Sequence, residues 1–207
     1  MAKVDAKVVL LGMHNVGKTC LVDRYLHGRF TEDVTATVGA AFGAKKVSVG
    51  EEELTLGIWD TAGAERYESM SRIYYRGARA ALVCFDLTKG DTWAKVRFWV
   101  NELIANEKDC ALYIVGTKLD CIEDGSETRK VRPEAVKEYA SNIGARLFET
   151  SARTGQNVDE LFQTVAEDFL QRTRSVPALV NLTPSAPPLE LGAAAGGQPG
   201  SSSNCSC

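Results

Sequence analysis

The 207-residue chain balances 24 basic against 27 acidic side chains, a formal charge of −3, and so lacks the broad positive footprint that holds nucleic acid by its phosphates. With 44% hydrophobic and 25% charged residues it has the composition of a folded soluble protein, and its length suits one ordinary domain with some chain left over. The apolar run Val8 to Leu11 is too short for a signal-peptide core, and no stretch nears the roughly 20 apolar residues of a bilayer-spanning helix, so neither secretion nor a membrane span is expected.

Apolar β-type runs alternate with helical patterns, which predicts parallel strands joined by crossover helices. The first strand is expected over Lys7 to Leu11 and the first helix over Gly17 to His27. Between Ala44 and Trp59 two extended segments flank Gly50, and Leu54, Leu56 and Ile58 alternate as one buried face requires, which reads as a hairpin adding an antiparallel edge. Further strands are expected over Ala80 to Leu87, Ala111 to Gly116 and Arg146 to Glu149. Helices are expected over Trp93 to Asn106 and Pro133 to Asn142, the second with proline in its first turn, where the missing donor does no harm. In the last helix Val158, Leu161, Phe162, Val165, Ala166, Phe169 and Leu170 share one face. Cys20, Cys84, Cys110 and Cys121 are scattered without metal-ligand spacing and read as reduced structural thiols. After about Arg174 the composition turns to Pro, Gly, Ala and Ser, so the expected division is a domain over residues 1–174 and a flexible tail over 175–207.

Gly12-Met13-His14-Asn15-Val16-Gly17-Lys18-Thr19 has the P-loop spacing, placed after a predicted strand and before a predicted helix. Its glycines let backbone N–H groups turn inward around phosphate oxygens, and the helix N-terminus adds partial positive charge. Lys18 would reach the terminal phosphates, and the Thr19 hydroxyl would meet the Mg²⁺ that offsets their charge. A P-loop by itself leaves ATPases, kinases and GTPases open. Asp60-Thr61-Ala62-Gly63 follows a strand end, where Asp60 can hold the metal through water and the Gly63 amide can meet a γ-phosphate; alone, such a tetrapeptide is an ordinary solvated turn. Thr37, in a polar loop, can complete the metal shell when a third phosphate is present. Thr117-Lys118-Leu119-Asp120 ends a buried strand, where ligand clefts of open α/β sheets lie. The Asp120 carboxylate can accept from both N1–H and the amino group of guanine, a donor pair that adenine lacks. Glu149-Thr150-Ser151-Ala152-Arg153 closes the last strand and can offer the Ala152 amide to guanine O6.

With these motifs the chain resembles a Rab-type small GTPase of the Ras superfamily over residues 5–172 and again at its extreme C-terminus. Trp59 to Gly63, Glu65-Arg66-Tyr67 and Tyr74-Tyr75-Arg76-Gly77-Ala78 are similar to the Rab switch II region and the helix after it. Val38-Gly39-Ala40-Ala41-Phe42 looks most like switch I of the early-endosomal branch, and the whole resembles a divergent subgroup linked to endosomal and autophagic traffic. The resemblance implies an α/β P-loop GTPase domain with a six-stranded, mostly parallel sheet, one antiparallel edge strand and five flanking helices. It implies a monomer that binds GTP or GDP with Mg²⁺, and Phe30 against the guanine edge. The full nucleotide site is expected to comprise Gly12, His14, Asn15, Val16, Gly17, Lys18, Thr19, Cys20, Phe30, Thr37, Asp60, Gly63, Thr117, Lys118, Asp120, Ser151, Ala152 and Arg153, with Thr19, Thr37 and Asp60 at the metal. Effectors, an exchange factor, an activating protein, a prenylation escort and a GDP-dissociation inhibitor are the partners it implies, with effectors reading a surface of Phe42, Trp59 and Tyr74.

Four positions depart from the family pattern. Ala64 stands where a glutamine orients the attacking water, which predicts weak intrinsic hydrolysis. His14 and Asn15 replace a small residue and glycine and would crowd the γ-phosphate, while His14 itself is expected to face solvent. Thr117 replaces an asparagine that braces the base-binding loops, which predicts weaker nucleotide affinity with guanine preference retained through Asp120. The final Cys205-Ser206-Cys207 resembles a doubly geranylgeranylated Rab terminus, and without a polybasic stretch nearby stable anchoring to endomembranes would need both chains. Two functions follow as expectations: a slowly hydrolysing GTP/GDP switch in vesicle traffic, or a largely GTP-loaded membrane scaffold. An ATP-dependent enzyme is disfavoured by Asp120.

Overall fold

In the computed structural model, which describes residues 3–32, 35–63 and 71–175, six strands form one sheet in the order β2-β3-β1-β4-β5-β6. They are β1 (Ala6–Leu11), β2 (Ala40–Val49), β3 (Glu52–Thr61), β4 (Ala80–Asp86), β5 (Ala111–Thr117) and β6 (Arg146–Glu149). All neighbouring pairs are parallel except β2 with β3, where Gly43 faces Ile58 and Val47 faces Leu54 around a turn that Gly50 enters with φ of 61°. The expected mostly parallel sheet with an antiparallel edge is therefore present. β2 begins four residues earlier than the alternation suggests, because Ala40 to Gly43 are held by pairing with Ile58 to Thr61 rather than by burial.

The central strands are buried on both faces, as crossover helices on both sides of a parallel sheet require. The pleat sorts their residues into two cores. Val8 and Leu10 of β1, with Leu82 and Cys84 of β4, face α1 (Lys18–His27) and α6 (Val158–Ser175). There the Tyr25 and Phe162 rings stack with centroids 3.8 Å apart. Val9, Leu11, Ala81, Val83 and Phe85 face the other way, toward Val96, Trp99, Val100 and Leu103 of α3 (Gly90–Asn106) and Val136 and Ala140 of α5 (Pro133–Asn142).

Two short helices complete the described fold: α2 (Ser71–Tyr75) and α4 (Leu119–Glu123), so six helices flank the sheet where the resemblance implies five. The added one is the single turn after the Thr117-Lys118 corner, too short to show a hydrophobic period. α3 starts three residues before Trp93 because the Thr92 hydroxyl donates to the Lys89 carbonyl at 2.6 Å and accepts from the Asp86 amide at 3.0 Å, closing a first turn that reads as polar loop. Among the described residues no helix is long and apolar enough to cross a membrane.

Candidate nucleotide-binding site

Parallel strands end together, and β1 lies between β3 and β4, where the chain order reverses; the loops leaving this edge enclose a crevice at the sheet's switch point. The loop after β1 can hug the sheet because Gly12, at φ of 145°, has no side chain: a Cβ there would lie 2.4 Å from the Cys84 carbonyl oxygen. Asn15 and Gly17 follow with φ of 59° and 91°, curling the backbone so that its amides converge, the geometry of an anion-binding concavity. Gly63, after β3, meets this loop backbone to backbone, since a Cβ on it would sit 2.4 Å from the His14 nitrogen and the Met13 oxygen.

Lys18, in the first turn of α1, reaches back beneath the loop and donates to the carbonyls of Gly12 at 3.0 Å and Met13 at 2.9 Å, which leaves one of an ammonium's three donors uncommitted. Burial pushes its pKa below the ordinary lysine value, against the opposing pull of Cys84 and Asp60. Asp60, 2% exposed, has Oδ2 accepting from the Thr19 hydroxyl at 2.6 Å and from the Thr37 hydroxyl at 3.5 Å, while those two hydroxyls lie 2.9 Å apart. Burial raises the Asp60 pKa; the Thr19 hydrogen bond, Lys18 and Thr37 lower it. Its Oδ1 is buried with no partner, which is costly unless something positive completes it. Two hydroxyls and a carboxylate form a hard-oxygen set that suits Mg²⁺. Among the described residues no three His, Cys, Asp or Glu side chains gather for a metal, so a cation here would draw its remaining ligands from phosphate and water.

A cavity of about 440 Å³ runs from His14, Lys18 and Thr19 to Asp120, Ala152 and Arg153, so the loops after β1, β5 and β6 share one cleft. Asn15, Gly17, Cys20, Phe30, Thr37, Gly63, Thr117 and Lys118 also line it. Gly12, Val16, Asp60 and Ser151 stand behind that wall. Asp120 is oriented by its neighbours: Oδ1 accepts from the Ser151 hydroxyl at 2.6 Å, and Arg153 lies 4.0 Å from Oδ2. Lys118 turns through φ of 63° and sets its ammonium 2.7 Å from the wholly buried Asp86 carboxylate, off the hydrogen-bond direction, as an ion pair across the cleft floor. His14 and Asn15 are exposed, as expected of the imidazole. Cys84 and Cys110 are buried, and burial lifts both thiols to about 12, whereas Cys121 joins Cys20 on the cleft wall.

The replacement of asparagine at Thr117 predicts a lost brace; the structure supplies one of a different kind. The Thr117 hydroxyl lies 2.5 Å from the Val16 carbonyl and 2.9 Å from the Phe85 carbonyl, so its one proton ties the P-loop to β5 or β5 to β4. Sequence reasoning missed Glu32, Thr35, Thr61 and Thr150 on the wall: Glu32 and Thr35 fall in no motif, and Thr61 and Thr150 stand inside the Asp60–Gly63 and Glu149–Arg153 motifs without a role of their own. It also missed Arg24, which reaches the Ala152 and Arg153 carbonyls from α1 across some 128 residues of sequence. Ala64, where the resemblance leads one to expect a water-orienting glutamine, and the segment with Glu65, Arg66 and Tyr67 lie outside the described residues, as do Cys205 and Cys207.

The model of the Ras family matches residues 7–171. The chain belongs to the Ras family. Its similar relatives place it among the Rab members. It is 54% identical over 183 residues to Ras-related protein Rab-24 of Dictyostelium discoideum, covering 88% of this chain and 90% of that one. It is 40% identical to Ras-related protein Rab5A of Oryza sativa subsp. japonica, covering 81% of each. The Ras-like GTP-binding protein RYL2 of Yarrowia lipolytica shares 39% identity over 83% of this chain and 84% of its own. On this Rab-family chain the large apolar residues Val38, Phe42 and Ile73 are 76%, 57% and 70% exposed, and the Phe42 ring rests 4.7 Å from that of half-buried Trp59.

Thr117→Val removes the hydroxyl and leaves the Val16 and Phe85 carbonyls without it, a change expected to cost about 1–3 kcal/mol of unfolding free energy. Thr117→Ser should retain most of the wild-type value. Urea denaturation of both variants checks this, and equal stabilities would show that the bridge contributes nothing.

Proposed function

We propose that this chain is a guanine-nucleotide switch of Rab type that binds GTP or GDP with Mg²⁺ and works at membranes of the vesicle-traffic pathway. The observation that carries the reading is that Lys18 and Thr19, at the phosphate end, and Asp120, at the base end, line a single cavity of about 440 Å³. In this reading the curled amides of residues 13–18 and the Lys18 ammonium receive the phosphates. Thr19, Thr37 and Asp60 hold the cation, which would neutralise charge building on the phosphate oxygens. Asp120, fixed by Ser151, accepts from guanine, while the Ala152 amide meets O6 and Phe30 lies against the base edge. Thr37 and Gly63 sit where a third phosphate would order both flanking segments, and release of that phosphate would free them. The exposed Phe42 and the Trp59 beside it then form the surface that effectors read; the exchange factor and activating protein act on the same two segments.

Nucleotide titration of the full chain tests this directly. GTP and GDP should bind with Mg²⁺ at least a hundredfold more tightly than ADP, and EDTA should speed their release. Asp120→Ala should erase most of that preference, since a buried donor pair left unmatched is what discriminates. Equal binding of GDP and ADP by the unaltered chain would defeat the proposal.

The hydrolytic step is assigned a low rate. With Ala64 in place of a water-orienting side chain, unaided turnover should fall below about 10⁻⁴ per second, and Ala64→Gln should raise it several-fold. Single-turnover GTP hydrolysis measures both, and an unchanged rate in the variant would remove the assignment. The low rate and the exposed His14 at the phosphate end favour a long-lived GTP state, the scaffold form of the same function. An endosomal or autophagic address is the finer part of the proposal and rests on the sequence resemblance, that of residues 38–42 above all. Residues 175–207 are taken as the tether, with geranylgeranyl groups on Cys205 and Cys207. One chain anchors marginally, so Cys207→Ser should move most of the protein from the membrane to the soluble fraction of cells; full retention would refute the two-lipid anchor.

A further inference from the structure

The base-end loop that carries Ser151, Ala152 and Arg153 belongs to no strand or helix, yet each of its peptide groups is held. The Ser151 carbonyl accepts from the Gly155 amide at 2.9 Å, and the Ser151 hydroxyl accepts from the Thr154 amide at 3.0 Å. The next two carbonyls are taken by one side chain from helix α1: Arg24 Nε donates to the Ala152 oxygen at 2.6 Å and Nη2 to the Arg153 oxygen at 2.7 Å. Its remaining arm, Nη1, donates at 2.7 Å to Gly28, just past the end of α1 and two residues before Phe30. The stem runs close to the same loop, since a Cβ added at Gly155 would come within 3.8 Å of Arg24 Cδ. Among the described residues Arg24 forms no ion pair with a carboxylate; its three hydrogen bonds all end on main-chain oxygens. Across a planar peptide the N–H points opposite to the oxygen, so anchoring the oxygens of Ser151 and Ala152 sets the direction of the Ala152 and Arg153 amides, which have no backbone partner. Ala152 itself lines the cleft.

We propose that Arg24 is a positioning residue for purine recognition: while the Gly155 amide on the Ser151 oxygen aims the Ala152 amide, the planar fork of Arg24 pins the two peptides that follow, so that the loop presents the Ala152 amide to the keto oxygen at C6 of the base. The same fork links that loop to the segment carrying Phe30, so both walls of the base pocket are set by one guanidinium. The proposal deepens the guanine reading above and rests on it. A lysine cannot replace the fork, since a single ammonium does not span three carbonyls in one plane.

The test separates positioning from bulk stability by altering the atom that the amide would meet. Full-length chain is stripped of nucleotide, and affinities are measured for GDP, for 6-thio-GDP, whose sulfur is a poor acceptor while N1–H and the amino group remain, and for ADP. The unaltered chain should prefer GDP over the thio analogue by on the order of tenfold, one neutral hydrogen bond. In Arg24→Met that ratio should shrink toward one while GDP affinity falls by a similar factor. Arg24→Lys, which keeps the charge and the stem beside Gly155, should move the ratio in the same direction and decides the matter if the methionine variant does not fold. A ratio that stays at the wild-type value in the variant that folds, whatever happens to GDP affinity or thermal stability, would make Arg24 merely structural and overturn the inference. A wild-type ratio near one would also overturn it. No preference for GDP over ADP in the unaltered chain would instead bring down the guanine reading itself.

Discussion

A lysine ammonium buried at the end of β1 is the constraint on which the rest of this structure depends. Lys18 is 6% exposed and touches two main-chain carbonyls, which take two of its three hydrogen bonds without cancelling its charge. A buried charge is tolerated when an opposite charge is near or arrives with a ligand. Asp60 is the near one and is itself incomplete, with Oδ1 unpartnered. The neighbourhood therefore carries a cation that wants an anion and an anion that wants a cation, which a magnesium-bound phosphate chain would supply together. Folding holds both groups in this state because the sheet around them is closed on two faces by apolar cores.

The groups that would touch a ligand are few, and much of the local sequence serves to aim them. Ser151 aims Asp120, Thr117 ties β5 to the P-loop or to β4, Lys118 answers the charge of Asp86, and Arg24 holds the loop after β6. These contacts run among α1, β4, β5 and the β6 loop, so the base end is assembled from segments more than a hundred residues apart. Such a layer explains how threonine at 117 is accommodated: a shorter side chain still reaches a carbonyl, though with one proton rather than the amide's two.

The phosphate and base ends also differ in how rigidly they are built. The base end rests on β5, β6 and helix α4, whereas Thr37 and Gly63 lie on connecting chain, tied to the rest by the Thr37 hydroxyl and by the Ala62 amide donating to Gly39 at 2.8 Å. The exposed apolar residue Val38 stands on that connecting chain beside Thr37, and exposed Phe42 lies just beyond it, in β2 and paired with Trp59.

What the sequence determined by itself was the set of parts whose signal is local. The strand cores, the P-loop, the Asp60 and Asp120 positions and the amphipathic last helix are legible because periodicity and spacing act over a handful of residues. The antiparallel edge was legible too, from Gly50 between two alternating segments. Only the tertiary structure decided that β2 extends back to Ala40, since pairing with Ile58 to Thr61 and not hydropathy holds those residues. It alone revealed that Thr117 bridges carbonyls and that Arg24 organises a loop some 128 residues away. The physical reason is that a hydrogen bond between a side chain and a distant main-chain oxygen leaves no pattern in sequence: any residue can supply the carbonyl, and proximity comes from the sheet order.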